Sequence, residues 1–220
     1  MKVKIENVLY ILKTVIQDSE FNVTRCFPYG SVVYHGHGED VDILCVSDDR
    51  ESGQISRVID GFPVEIQIIN EEEMRERLVN HHIVMLEGYS LWRHFRDFVY
   101  NFDDVFEGFE VDNVALRHSV SSICSNSFVK AKKKLTVEKD YNRYASFKSL
   151  FHCLRMYDFG IQVARYGSVY SFSASQHIYD ELYTLYRDNN DREVLEHING
   201  KYKKLKNSLA TEFRSYASKE

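Results

Sequence analysis

Apolar residues at Ile5, Val8, Leu9, Leu12, Val15 and Ile16 recur with helical spacing and predict an amphipathic helix at the start of the chain. Phe21 to Pro28 then reads as a strand that ends at the turn Tyr29-Gly30-Ser31. From Asp40 to Val46 the pattern alternates, with Val41, Ile43 and Cys45 on one face and Asp40 and Asp42 on the other. Gly53 and the polar residues before it predict a loop. Residues 62–69 alternate again: Phe62, Val64, Ile66 and Ile68 share one face, Glu65 and Gln67 the other. Glu71, Glu72 and Glu73 mark the first turn of a following helix, where carboxylates complement the helix dipole. His81 and His82 fall as neighbours on a helix, so their side chains point apart.

Beyond Asp112 the pattern is helical throughout. Leu116, Val120, Ile123, Phe128, Ala131 and Leu135 predict one helix, and Phe147, Leu150, Phe151, Leu154, Tyr157 and Ile161 a second. Two more follow, at about 174–187 and 191–216, the last carrying Leu195, Ile198, Tyr202, Leu205, Leu209 and Phe213. With only Pro28 and Pro63 in the chain, no flexible proline-rich linker separates the halves. The expected architecture is α+β: a small mixed-sheet domain over 1–110, then a helical domain over 111–220, with a cleft between them.

Composition adds two constraints. No run of about eighteen apolar residues occurs, and the start flows directly into a helical pattern, so a cytoplasmic protein without a membrane span is expected. Cys26, Cys45, Cys124 and Cys153 have no paired spacing and read as reduced, mostly buried thiols. Charge changes the picture more. The net charge is −5, but residues 1–110 hold 10 Lys and Arg against 21 Asp and Glu, a net of −11. Residues 111–220 hold 18 against 12, a net of +6. An acidic half suited to metal ions thus adjoins a basic half suited to phosphate.

The candidate chemistry lies where the first strands end. A glycine before a helix start lets the backbone approach a phosphate, and the exposed N–H groups there favour anions. Gly30 and Ser31 occupy that place, with the Ser31 hydroxyl as a phosphate contact or a helix cap. Asp40 and Asp42, two residues apart on a strand, point to one side and can share a metal pair. Glu65 is a mid-strand carboxylate in a segment otherwise made for burial, costly there unless paired or near a metal. If the two strands are neighbours, the three acids project from one face. Two divalent ions held there would align an attacking oxygen with a triphosphate leaving group. His35 and His37 form a His-x-His in the adjacent turn, read as exposed rather than ligating. In the helical half, Lys148, His152 and Arg155 fall at i, i+4 and i+7, a polar stripe beside an apolar one and a candidate phosphate contact.

The Gly30-Ser31 turn followed by Asp40-x-Asp42 resembles the signature of the nucleotidyltransferase (DNA polymerase β) superfamily. The helix segment Lys148-x-x-x-His152-x-x-Arg155 is similar to that of the RlaP family of RNA-repair-associated nucleotidyltransferases, and Leu86-Glu87 is a further, short match. Glu39 stands where that family usually has Ser, and the third acid is Glu65 rather than Asp. The resemblance implies a nucleotidyltransferase domain followed by a helical bundle. It also implies Mg²⁺ or Mn²⁺ at Asp40, Asp42 and Glu65, and a nucleoside triphosphate on Gly30, Ser31, Lys148, His152 and Arg155. RNA is the acceptor it points to; the residues themselves leave a protein acceptor, or a nucleotide-binding module without turnover, open.

Overall fold

The computed structural model describes residues 3–218 apart from 19, 21 and 50. Phe21, where the pattern begins the first strand, lies outside the described residues, as do Met1 and Lys2. The chain forms two compact units: Met1–Glu110 with Ser168–Phe172, and Val111–Gly167 with Ser173–Glu220.

The first unit runs β1 (Val3–Lys4), α1 (Ile5–Gln17), β2 (Arg25–Tyr29), α2 (Ser31–His35), β3 (His37–Gly38) and β4 (Val41–Val46). It continues with β5 (Gly53–Ile59), β6 (Phe62–Ile69), α3 (Glu71–Val79), α4 (Ile83–His94) and α5 (Asp103–Phe106). Four strands make a mixed sheet in the order β2-β4-β6-β5, antiparallel at both outer pairs and parallel between β4 and β6. Alternation places a core on each face. Val41, Ile43, Cys45, Val64, Ile66 and Ile68 pack with Val8, Ile11, Leu12 and Val15 of α1 on one side. Phe27, Leu44, Val46 and Ile69 pack with Met74, Met85, Tyr89, Phe102 and Phe106 on the other.

Two expectations change here. Gly53, expected in a loop, opens strand β5, which runs on to Ile59 through residues for which the pattern predicts no element. Ile55 and Ile59 do reach the core, but Arg57 falls between them and breaks the apolar alternation. The strand is held by pairing with β6 through the two-residue turn Asp60-Gly61, whose φ values of 51° and 79° suit a tight hairpin. His81 and His82 are not on a helix: His81, at φ 51°, sits in the turn after α3, and His82 caps α4. The acidic first turn of α3 is present, with the Asn70 side chain accepting from the Glu73 N–H at 2.8 Å.

The second unit holds α6 (Asn113–Thr136), α7 (Arg143–Tyr166), α8 (Gln176–Asp188), α9 (Asp191–His197) and α10 (Lys203–Tyr216). Helix α7 is central, packed against α6, α8 and α10 and buried on most sides from Ser146 to Val163. The expected helix at 191–216 is interrupted by a π-helical stretch, Ile198–Tyr202, between α9 and α10. Asp112 and Asn142 cap α6 and α7, each side chain accepting from an N–H three residues on. The protein is α+β, a small mixed sheet with its helices followed by a helical region. Among the described residues no helix is long and apolar enough to cross a membrane.

The four cysteines are free and buried. Folding brings them into two pairs that their sequence spacing does not show. Cys26 and Cys45 are direct partners across β2 and β4, and the Cys124 thiol donates to the Cys153 carbonyl at 3.3 Å.

Candidate functional site

One transverse row of the sheet carries the site. The antiparallel register sets Tyr29 opposite Asp42, the parallel register sets Asp42 opposite Glu65, and β5 sets Ser56 opposite Glu65. Partners across a ladder share a face, so Asp42 and Glu65 stand side by side, both half-buried. Asp40 lies just before β4, in a bend rather than in the ladder.

Gly30 follows Tyr29 and leaves the sheet at φ 78° and ψ −153°, a conformation open essentially to glycine alone. A methyl there would stand 2.4 Å from Asp42 Oδ2, so the aspartate lies directly against the Gly30 backbone. Ser31 opens α2. Its hydroxyl oxygen adjoins Gly38, where a methyl would meet both Ser31 Oγ and the Asp40 carbonyl at 2.8 Å. The Gly-Ser turn and the two aspartates are thus contiguous.

Glu65 has both oxygens engaged: Ser56 Oγ donates at 2.7 Å and Gln54 Nε2 at 2.8 Å. These hydrogen bonds hold its carboxyl below the usual range, first through Ser56 and then through Gln54. A carboxylate held in that way is a weak proton acceptor but a lasting negative charge. The Tyr29 hydroxyl moves the other way, pushed well up by burial, then by Asp42 and Glu87, with Arg77 opposing. Among the described residues no three His, Cys, Asp or Glu side chains converge closely enough to hold a metal ion. Asp40, Asp42 and Glu65 therefore share a region without forming a finished three-ligand cage. The His35 and His37 rings lie 6.3 Å apart at the end of this turn, His37 exposed.

The stripe on α7 belongs to the second unit. Lys148 is exposed, with Nζ 5.3 Å from the Tyr144 ring. Arg155 stacks its guanidinium 5.7 Å over Phe151 and reaches 3.4 Å from His152 Nδ1. Burial, then Arg155 and Lys130, pushes the His152 ring down to about 3. His152 is uncharged at neutral pH, so the positive charge of the stripe comes from Lys148 and Arg155.

No protein-family model matches the chain, and no curated protein matches it. Among solved structures the chain is similar to a nucleotidyltransferase-like protein from Exiguobacterium sibiricum, at 12% identity and a TM-score of 0.40. The match covers 94% of this chain and 77% of that one. It assigns no role to any residue here.

Glu87 is the residue to which sequence reading gave no role. It lies on α4, almost fully buried, and accepts from both Gly30 N–H and the Tyr34 hydroxyl. Its signal was a lone carboxylate inside the apolar run Ile83–Leu91.

Proposed function

We propose that this protein is a metal-dependent nucleotidyltransferase that moves a nucleoside monophosphate from a nucleoside triphosphate to an acceptor hydroxyl. The observation that carries the reading is the seating of Asp42, with Glu65 as its register partner, against the Gly30 turn. That contact joins an acidic strand end to a backbone segment able to approach phosphate. The donor set fits magnesium or manganese, being oxygen-only and hard. Magnesium is commonly held by one or two carboxylates together with substrate phosphates and water, so Asp40 and Asp42 suffice and Glu65 adds charge beside them. Bound there, the ions would neutralise the triphosphate and lower the pKa of the acceptor hydroxyl.

The chain's own residues divide the remaining work. Gly30 and Ser31 contact the triphosphate. Asp40 and Asp42 hold the ions. Glu65, kept ionised by Ser56 and Gln54, acts as a fixed charge. The acceptor oxygen bonds to the α-phosphorus, the bond from that phosphorus to the bridging oxygen breaks, and pyrophosphate leaves with the electron pair. The hydroxyl proton goes to solvent. On the second unit, Lys148 and Arg155 offer positive charge to phosphate, with His152 as an uncharged neighbour. The net charge of +6 over residues 111–220 favours a polyanionic acceptor, RNA, over a protein.

The test is transfer of label from each NTP, with Mg²⁺ or Mn²⁺, to total RNA or to cell protein, beside Asp42→Ala. Label on RNA with one NTP, reduced at least a hundredfold by Asp42→Ala, is the expected outcome. Label confined to protein overturns the RNA acceptor. No transfer to either, or transfer indifferent to Asp42→Ala, overturns the enzyme.

A further inference from the structure

We propose that Glu87 is a positioning residue that sets the Gly30–Ser31 turn against Asp42. Helix α2 has five residues, too few to hold a helical turn without tertiary support. Val33 N–H and Tyr34 N–H both donate to the Gly30 carbonyl, at 3.1 and 3.3 Å, which ties the helix to its first turn. Support has to come from outside the turn.

Glu87 supplies it at two points. Oε2 accepts the Gly30 N–H at 3.4 Å, and Oε1 accepts the Tyr34 hydroxyl. The donors lie one helical turn apart on α2, so a single carboxylate fixes both the position of the turn and its rotation. Glu87 is 2% exposed and Tyr34 3%, and a buried carboxylate is retained at such a site when donors satisfy it. Rotation of α2 decides where Ser31 points. In this setting Ser31 Oγ lies against Gly38 beside the Asp40 carbonyl, while Gly30 rests on Asp42.

The back of the arrangement is closed as well. The Phe172 ring stands 5.6 Å from Tyr34 and 6.5 Å from Phe95. Val169 N–H donates at 2.9 Å to Ser90 Oγ, one turn along α4 from Glu87. The segment 168–172 thereby buttresses Tyr34 and α4 together.

The inference rests on reading that turn as the phosphate contact, and two independent readouts separate the two ideas. Hydrogen exchange at the Val33 and Tyr34 amides reports the turn, and calorimetric titration with Mg²⁺ and each of ATP, CTP, GTP and UTP reports nucleotide binding. Glu87→Ala speeds exchange at both amides at least tenfold, leaves Ile43–Cys45 protected, and weakens nucleotide affinity at least tenfold. Glu87→Gln keeps one acceptor oxygen and stays within threefold of the wild type. Tyr34→Phe removes one donor and no charge, giving a smaller loss and a second route should Glu87→Ala not fold. Met85→Ala empties a neighbouring buried position on α4 without a hydrogen bond to the turn, and lowers Tm while moving neither readout. Unchanged α2 exchange in Glu87→Ala, or an equal change in Met85→Ala, overturns the positioning role. If the wild type binds no NTP, the phosphate reading falls while the exchange result still decides what Glu87 does.

Discussion

The polar residues of the two units are held in place by different forces. In the sheet unit, Tyr29, Asp42, Glu65 and Ser56 form a row because strand register puts them side by side, and hydrogen bonds then fix the carboxylate. In the helical unit, Lys148, His152 and Arg155 share a stripe because α7 repeats every 3.6 residues, and burial sets the state of the middle member. Register organises charge and keeps it. Burial removes it: His152 is neutral where its sequence neighbours are cations. A Lys-His-Arg stripe on a packed helix therefore carries two positive charges, not three.

Gly30 is the most sensitive position of the sheet unit. Gly30→Ala forces a β-carbon into a left-handed backbone and against Asp42 Oδ2, and is expected to lower the unfolding free energy by about 3 kcal/mol. Chemical denaturation of the purified variant measures it; an unchanged midpoint would mean that the aspartate does not sit on the turn.

The next effect tests burial in the helical unit. The folded His152 ring, at about 3, lies below its unfolded value near 6.5. Its neutral form therefore stabilises the fold fully above the unfolded value, and that stability is lost as pH falls from about 6.5 towards 3. Between pH 7 and pH 5 the loss is about 2 kcal/mol. His152→Leu should flatten the stability profile in that window by this amount, and an identical slope in both proteins would show the ring to be solvated.

The smallest effect lies in the row itself. Ser56→Ala removes the larger of the two donors that hold Glu65 down, so the Glu65 carboxyl should titrate at higher pH. Carbon-detected NMR of the Glu65 carboxyl follows the shift. Titration unaltered from wild type would detach Glu65 from β5 and leave register alone as the organiser of the row.

Much of this was legible in the chain because period and polarity are local. The β4 and β6 alternations, the acidic first turn of α3 and the long helices α6 and α7 follow from side-chain spacing that needs no partner to read. Strand β5 was not, since Arg57 interrupts its apolar face and the strand forms through pairing with β6 rather than through burial. The Asp60-Gly61 dipeptide was the available signal.

The site divides along the same line. Spacing and residue type alone pick out the carboxylates Asp40, Asp42 and Glu65 and, near them, the Gly30-Ser31 turn. Packing makes Asp42 and Glu65 register partners, leaves Asp40 outside the ladder, and holds Glu65 with Ser56 and Gln54. It also sets the free cysteines side by side in pairs and brings Glu87 to Gly30 across 57 positions of chain. The physical reason is separation. Spacing along one element fixes direction, but contact between elements depends on register and packing that no single segment encodes.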